Sequence, residues 1–406
     1  MTTAPDSSPR HPTTSQAAPQ SVIVDAVRTP VGKRGGALRD HHPVDLMAAT
    51  LAHLVERTGV DPDLLEDVIV GVGQQRGEQT GNVARNALLG AGLPLQLPGV
   101  TLDRQCGSGQ QAVQFASQAV RAGDSAFVLA GGVESMSRTD LGPLFDPQGE
   151  QGEWYGERAL ARFDGSIPSQ GRSIDLVVKE YGFTREELDA FAIRSHQRAA
   201  AATDAGRFTG DLVPLTGLTK DGAEVALTAD EGIRPAVDPA RVASLPPVFS
   251  ADGKVTAGNS SQISDGAAAL LIADRGAAER QGLRPRARIV SSVARAADPV
   301  LQFTAILPAS HLALERAGLS IGDIDLVEVN EAFAPVPLLF QREFGVSDDI
   351  LNVNGGSIAI GHPIGSTGAR LLTGLVSELE RRDARYGLLT ICEGGGMANA
   401  TIIERI

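Results

Sequence analysis

Cysteine is nearly absent: the 406-residue chain has two, against 46 glycines. Disulfide frameworks belong to small, secreted, cysteine-dense domains, so cross-linking is excluded as the main source of stability. No apolar run approaches the roughly 18 residues that suggest a membrane span, and stretches such as "AFVLAGG" stop at glycine. The two cysteines and seven histidines show no CxxC or HxxxH spacing, so no metal site is expected. Positive charge is scarce too. A net charge of −13 argues against a general nucleic-acid surface, while allowing a local basic pocket for an anionic cofactor.

What is present is ordinary for a globular protein: 42% hydrophobic and 21% charged residues, in a chain long enough for two or three domains. A soluble, cytoplasmic protein is expected. Residues 1–20 are rich in Ser, Thr and Pro with almost no large apolar side chains, and are read as a disordered tail. Order begins at "SVIVDAVRTPVG", a strand closed by a proline and glycine turn, followed by a helix around Leu46 to Arg57 and a buried strand in "LLEDVIVGVG". "DRQCGSGQQAVQFASQAVRAGD" turns into a helix whose apolar face would carry Ala112, Phe115, Ala116, Ala119 and Val120, and "SAFVLAGG" is the next strand. This alternation indicates a layered α/β fold.

The same order returns late in the chain. "HLALERAGLSIGDIDLVEVNEAF" echoes "LAHLVERTGVDPDLLEDVIVGVG", and "GHPIGSTGARLLTGLVSELERRDARYGLLTICEGGG" echoes the cysteine turn, its helix and its strand. The expectation is a duplicated α/β unit whose two glycine-rich turns meet about a pseudo-two-fold axis, bringing Cys106 opposite His362. The boundaries read as 21–137 plus 263–285 for the first half and 286–406 for the second. Residues 138–262, which lose the rhythm, form an inserted lid whose helix "TREELDAFAIRSHQRAAAA" opens with a capping box at Thr184 and Glu187.

The two cysteines are exposed to chemistry rather than buried in apolar sequence. Cys106 sits in "RQCGSGQQAV" at a turn before a helix, where backbone N–H groups and the helix dipole favour a thiolate. The bland alternative is a small residue filling a tight turn. Cys392, in "TICEGGGMAN", could equally be a strand-end residue or a disulfide partner of Cys106.

From about Ser21 onward the chain resembles the thiolase family. The landmarks are "VRTPVGKRGG", "RQCGSGQQA", "GGVESMS", "VTAGNSSQISDGAAA", "VNEAF", "NGGSIAIGHPIGSTGAR" and "CEGGGMA", in the family order. The resemblance implies a five-layered αβαβα fold, a homodimer or homotetramer, coenzyme A thioester substrates and Claisen-type chemistry, with no permanently bound cofactor. It implies that Cys106 is the nucleophile, His362 the base that takes its proton, and Cys392 the thiol that exchanges a proton with the substrate α-carbon or with coenzyme A. Asn330 would hold a water that, with His362, donates to the enolate-like thioester oxygen. The N–H groups of Cys106 and Gly394 would form a second oxyanion hole. Ser261 matches a pantetheine contact, Arg234 an adenine contact, and Phe333 is read with them as a substrate contact.

One departure stands out. Where short-chain biosynthetic thiolases carry His-Met-Gly before the lid helix, with the Met closing an acetyl pocket, this chain has Ser169-Gln170-Gly171. Together with the glutamate of "CEGGG" and the "GEQTGNVAR" stretch, it favours thiolysis of longer or unusual 3-ketoacyl-CoA over the alternative, acetyl-CoA acetyl transfer. A non-catalytic acyl-CoA or lipid carrier would be marked by loss of either cysteine or His362, and all three are present. A cysteine redox protein would want CxxC.

Overall fold

The echo between the two ends of the sequence is a repeat in three dimensions. The computed structural model describes residues 18–139 and 154–406. The first half runs β1 (Ser21–Arg28), α1 (Pro43–Thr58), β2 (Asp67–Gly71), α2 (Val83–Gly90), β3 (Gly99–Leu102), α3 (Ser108–Ala122) and β4 (Phe127–Ser135). Then come the lid helices α4 (Gln170–Glu180) and α5 (Arg185–Asp204), and β5 (Ser264–Asp274) completes the half. The second half runs β6 (Ala287–Ala296), α6 (Ile306–Ala317), β7 (Leu326–Val329), α7 (Pro335–Phe344), α8 (Ile364–Arg382), β8 (Tyr386–Glu393) and β9 (Met397–Arg405).

Strand order is β7-β8-β9-β6-β1-β5-β4-β2-β3, with the two-residue strand Gly32–Lys33 beside β5. Within each half the pairing is the same. β1 with β5 and β5 with β4 are antiparallel and β4 with β2 parallel; β6 with β9 and β9 with β8 are antiparallel and β8 with β7 parallel. The halves join edge to edge where Val22 pairs with Arg288 and Ile23 with Ala287.

Helices α3 and α8 pack on each other between the two half-sheets. α1 and α2 cover the outer face of the first half, and α6 and α7 that of the second, giving five layers, αβαβα. Glycine makes the middle layer possible. A Cβ on Gly109 would lie 2.6 Å from the Gly365 carbonyl oxygen, and one on Gly368 2.4 Å from the Gln110 nitrogen, so the two helices touch backbone to backbone.

The middle position also overturns the face expected for α3. Phe115 is 41% exposed, whereas Gln110, Gln111 and Gln114 are buried. A helix enclosed by sheet on one side and helix on another has no single apolar stripe, and the amide N–H groups of Gln110 and Gln114 find partners instead. Gln110 Nε2 donates to Thr401 Oγ1 at 2.8 Å, and Gln114 Nε2 to the same oxygen at 3.1 Å, fastening α3 to β9 of the other half.

The capping box of α5 is formed: Glu187 N–H donates to Thr184 Oγ1 at 3.2 Å, and Thr184 N–H to Glu187 Oε2 at 2.7 Å. Ile174, Val177, Leu188 and Phe191 of α4 and α5 share one apolar core with Phe303, Phe333 and Cys392. The lid helices are therefore packed into the second half. Residues 1–17 of the expected tail and 140–153 of the expected lid lie outside the described residues.

Candidate active site

Chain segments far apart in sequence converge on one cavity of about 500 Å³, lined by Cys106, His362, Cys392, Ser261 and Phe333. Cys106 stands just before α3, His362 just before α8, and Cys392 near the end of β8. Both cysteines are free and buried. Phe333 forms part of an aromatic wall, meeting Phe249 and Phe303 edge-on at centroid distances of 5.6 and 5.5 Å.

Hydrogen bonds specify which nitrogen of His362 can act. Thr367 Oγ1 donates its only proton to the Pro363 carbonyl at 2.8 Å, yet lies 2.7 Å from His362 Nδ1. The hydroxyl oxygen must therefore accept from Nδ1–H, which leaves Nε2 with a free lone pair. Asn330 Nδ2 is 3.4 Å from that Nε2. Asn330 Oδ1 accepts from Ser357 Oγ at 2.6 Å, and Ser357 Oγ accepts from Arg370 at 3.1 Å. Burial, with the Arg370 cation adding to it, pushes the imidazole down to about 3, so His362 is a neutral base at physiological pH.

The cysteines behave differently from the expectation of a helix-stabilised thiolate. Burial, then the proximity of Cys392, Glu393 and Asp103, pushes the Cys106 thiol well above its ordinary range. Burial and Glu393 push Cys392 up to about 12. For Cys106, desolvation and the neighbouring acidic groups outweigh the backbone hydrogen bond that favours its thiolate. The resting site is a pair of neutral thiols beside a neutral imidazole.

Family comparison follows the same arrangement. Residues 21–276 match the model of the thiolase N-terminal domain and residues 283–405 that of the thiolase C-terminal domain. The chain belongs to the thiolase family. It is 45% identical to the steroid 3-ketoacyl-CoA thiolase FadA6 of Mycobacterium tuberculosis, over 95% of this chain and 94% of that one. It is 42% identical to the 3-oxoadipyl-CoA/3-oxo-5,6-dehydrosuberyl-CoA thiolase of Escherichia coli, over 95% and 100%. Among solved structures, the Bacillus anthracis acetyl-CoA acetyltransferase superposes with a TM-score of 0.87 at 38% identity, covering 97% of this chain and all of that one. This thiolase is an acyltransferase that cleaves 3-ketoacyl-CoA with coenzyme A.

Of the thiolase residues expected from sequence, Cys106, His362, Cys392, Ser261 and Phe333 share the cavity, and Asn330 reaches it through His362. Gly394 does not line it; it belongs to an adjoining chamber with Gln105 and Gln170. Arg234 is exposed away from the cavity, its backbone N–H donating to His196 Nδ1 at 3.2 Å. Ser357, Thr367 and Arg370, all within "GGSIAIGHPIGSTGAR", carry no signal of their own in the sequence, and neither does Glu134 of "GGVES". This fully buried carboxyl accepts from Gly73 N–H at 2.8 Å and from Gly365 N–H at 2.9 Å, and so anchors the histidine loop of the second half to the first.

Proposed function

We propose that this thiolase works in the degradative direction through an acyl-Cys106 intermediate. His362 Nε2 takes the Cys106 proton as sulfur attacks the 3-keto carbon. The C2–C3 bond breaks, and its electron pair passes to the acetyl unit as an enolate. Cys392 protonates that α-carbon, releasing acetyl-CoA. Free coenzyme A then gives its thiol proton to the Cys392 thiolate and its sulfur to the acyl group; the shortened acyl-CoA leaves, and the released Cys106 thiolate takes back its proton from His362.

Asn330 and His362 would stabilise the enolate oxygen, through a water held by Asn330. The Cys106 and Gly394 N–H groups would hold the oxyanion on the other carbonyl, and loss of one such donor typically costs about two to three powers of ten in rate. Ser261 and Phe333 would contact the pantetheine arm and acyl group. The exposed Arg234 would contact the adenine, and no permanent cofactor is needed. We extend the reading to residues 138–262 as a lid over halves 21–137 plus 263–285 and 286–406, to a homodimer or homotetramer, and to the cytoplasm. Among the described residues, no helix is long and apolar enough to cross a membrane.

The convergence of Cys106, Cys392 and His362 on one cavity carries this reading. The test is mass spectrometry of protein quenched during thiolysis. An acyl adduct on the tryptic peptide spanning 105–121 supports it, and an adduct confined to the peptide spanning 386–405 reverses the roles of the two cysteines.

A further inference from the structure

A second chamber of about 200 Å³ adjoins the catalytic cavity, and Ser169 and Gln170 line both. Gln105, next to the nucleophile in sequence, is one of its walls; Trp154, Gln302 and Met397 are others. We infer that the acyl tail runs from Cys106 past Gln170 into this chamber, which selects uncharged tails that carry a ring and a hydroxyl or ketone oxygen. The inference rests on the thiolase reading and on Cys106 as nucleophile.

Charge excludes one class of tail. No Lys, Arg, Asp or Glu lines the chamber among the described residues. The neighbouring cation Arg104 contacts the Met397 sulfur at 3.7 Å but is not part of the lining. A carboxylate-ended tail entering here would give up hydration with no counter-ion among the described walls, an unfavourable transfer.

The amides select for an oxygen. Gln302 is already committed, donating to the Pro168 carbonyl at 2.8 Å and accepting from Gly395 N–H at 3.1 Å. Gln105 Nε2 is held by Asp103 at 3.2 Å. The Gln170 side chain lines both cavities and, among the described residues, is not tied by a hydrogen bond of its own. A plain alkyl tail would desolvate that amide without replacing its water, whereas a hydroxyl or ketone would pair with it. The hydroxyls of Tyr155 and Ser169 are further polar groups of the lining, and Trp154, Tyr155, Ile167, Pro168 and Met397 add flat or apolar surfaces. A rigid ring covers them with less loss of torsional freedom than a flexible chain of equal area.

The test uses the full-length enzyme and five 3-ketoacyl-CoA substrates: acetoacetyl-CoA, a straight eight-carbon chain, a chain ending in cyclohexyl, one ending in 4-hydroxycyclohexyl, and 3-oxoadipyl-CoA. The hydroxycyclohexyl substrate should have the highest kcat/KM and 3-oxoadipyl-CoA the lowest of the four longer ones. Gln170→Leu should reduce the preference for hydroxycyclohexyl over cyclohexyl about tenfold, the worth of one buried hydrogen bond. Trp154 is the only tryptophan in the chain. In Cys106→Ala protein, which binds without turnover, its emission should shift with the hydroxycyclohexyl substrate and not with acetoacetyl-CoA, which has the same adenine and too short a tail. Preference for 3-oxoadipyl-CoA, equal kcat/KM for the two ring substrates, or unchanged Trp154 emission overturns the chamber assignment while leaving thiolysis itself standing. Failure of every substrate to acylate Cys106 overturns the nucleophile and the chamber together.

Discussion

Cys106 and His362 occupy the same place in the two copies of the α/β unit, each two residues before the helix, α3 or α8, that fills the middle layer. Cys392 and Glu134 are matched as well. The parallel ladders end at Val329 with Thr390 and at Gly71 with Gly132, and each of these side chains lies two residues beyond. Equivalent backbone positions have taken unlike tasks. Glu134 is tied down by backbone N–H groups from both halves, whereas Cys392 faces the cavity. The duplication thus supplies two pairs of equivalent positions at the interface between halves. In the proposed mechanism one pair serves as nucleophile and base, and the other as a proton carrier and an anchor.

The largest effect should come from the first pair. Cys106→Ala should lower thiolysis by about four to six powers of ten, as expected when a covalent nucleophile is removed, with circular dichroism unchanged because the turn accepts a small side chain. Turnover within tenfold of the wild type, followed by the loss of 3-ketoacyl-CoA absorbance, would separate Cys106 from the chemistry. Cys392→Ala breaks the second pair more gently. The acyl-enzyme should still form from an activated thioester, while steady-state thiolysis falls by about two to four powers of ten for want of the proton carrier. Rapid-quench kinetics should show a burst and then a stall.

The repeat was legible because the order of elements and the glycine turns survive duplication in the letters themselves. Cys106, His362 and Cys392 were legible for the same reason, since each stands in a short stretch of unusual composition. Other features depend on tertiary enclosure. The buried face of α3 carries glutamines that read as polar until Thr401 is seen opposite them. The turn before α3 suggests a Cys106 thiolate, but the burial and the nearby Cys392 and Glu393 that raise its thiol exist only in the folded chain. The second chamber has walls from separate segments, none of which carries a pattern by itself.

pH sharpens the comparison between thiol and imidazole. His362 is held down to about 3, below the ordinary value near 6.5, so the unfolded chain takes up a proton that the folded chain refuses. Its contribution to stability is lost as pH falls from about 6.5 towards 3. Cys392 is held up to about 12, so its contribution is lost as pH rises from about 8.5 towards that value. Melting temperatures across pH should fall at both ends, with His362→Asn flattening the acid side and Cys392→Ala the alkaline side. Iodoacetamide should alkylate Cys106 faster as pH climbs past about 8.5, without the neutral plateau that a thiolate–imidazolium pair would give. Such a plateau between pH 6 and 8 would show that the two halves already share a proton at rest.

The smallest expected effect concerns the orientation of the base. Thr367 is fully buried, and its oxygen accepts from His362 Nδ1–H while its proton is spent on Pro363. Thr367→Val keeps the shape of the side chain and removes that acceptor, so the tautomer with the proton on Nε2 is no longer disfavoured. One such hydrogen bond is worth about 1 kcal/mol, which predicts a fall in kcat of roughly five- to tenfold. KM should hold, because Thr367 is not among the residues lining the cavity. Thr367→Ser restores the acceptor and should recover most of kcat, a rescue that a purely packing role would not produce. If Val and Ser variants lose activity equally, the hydroxyl does not orient the histidine, and the choice of nitrogen must come from Asn330 alone.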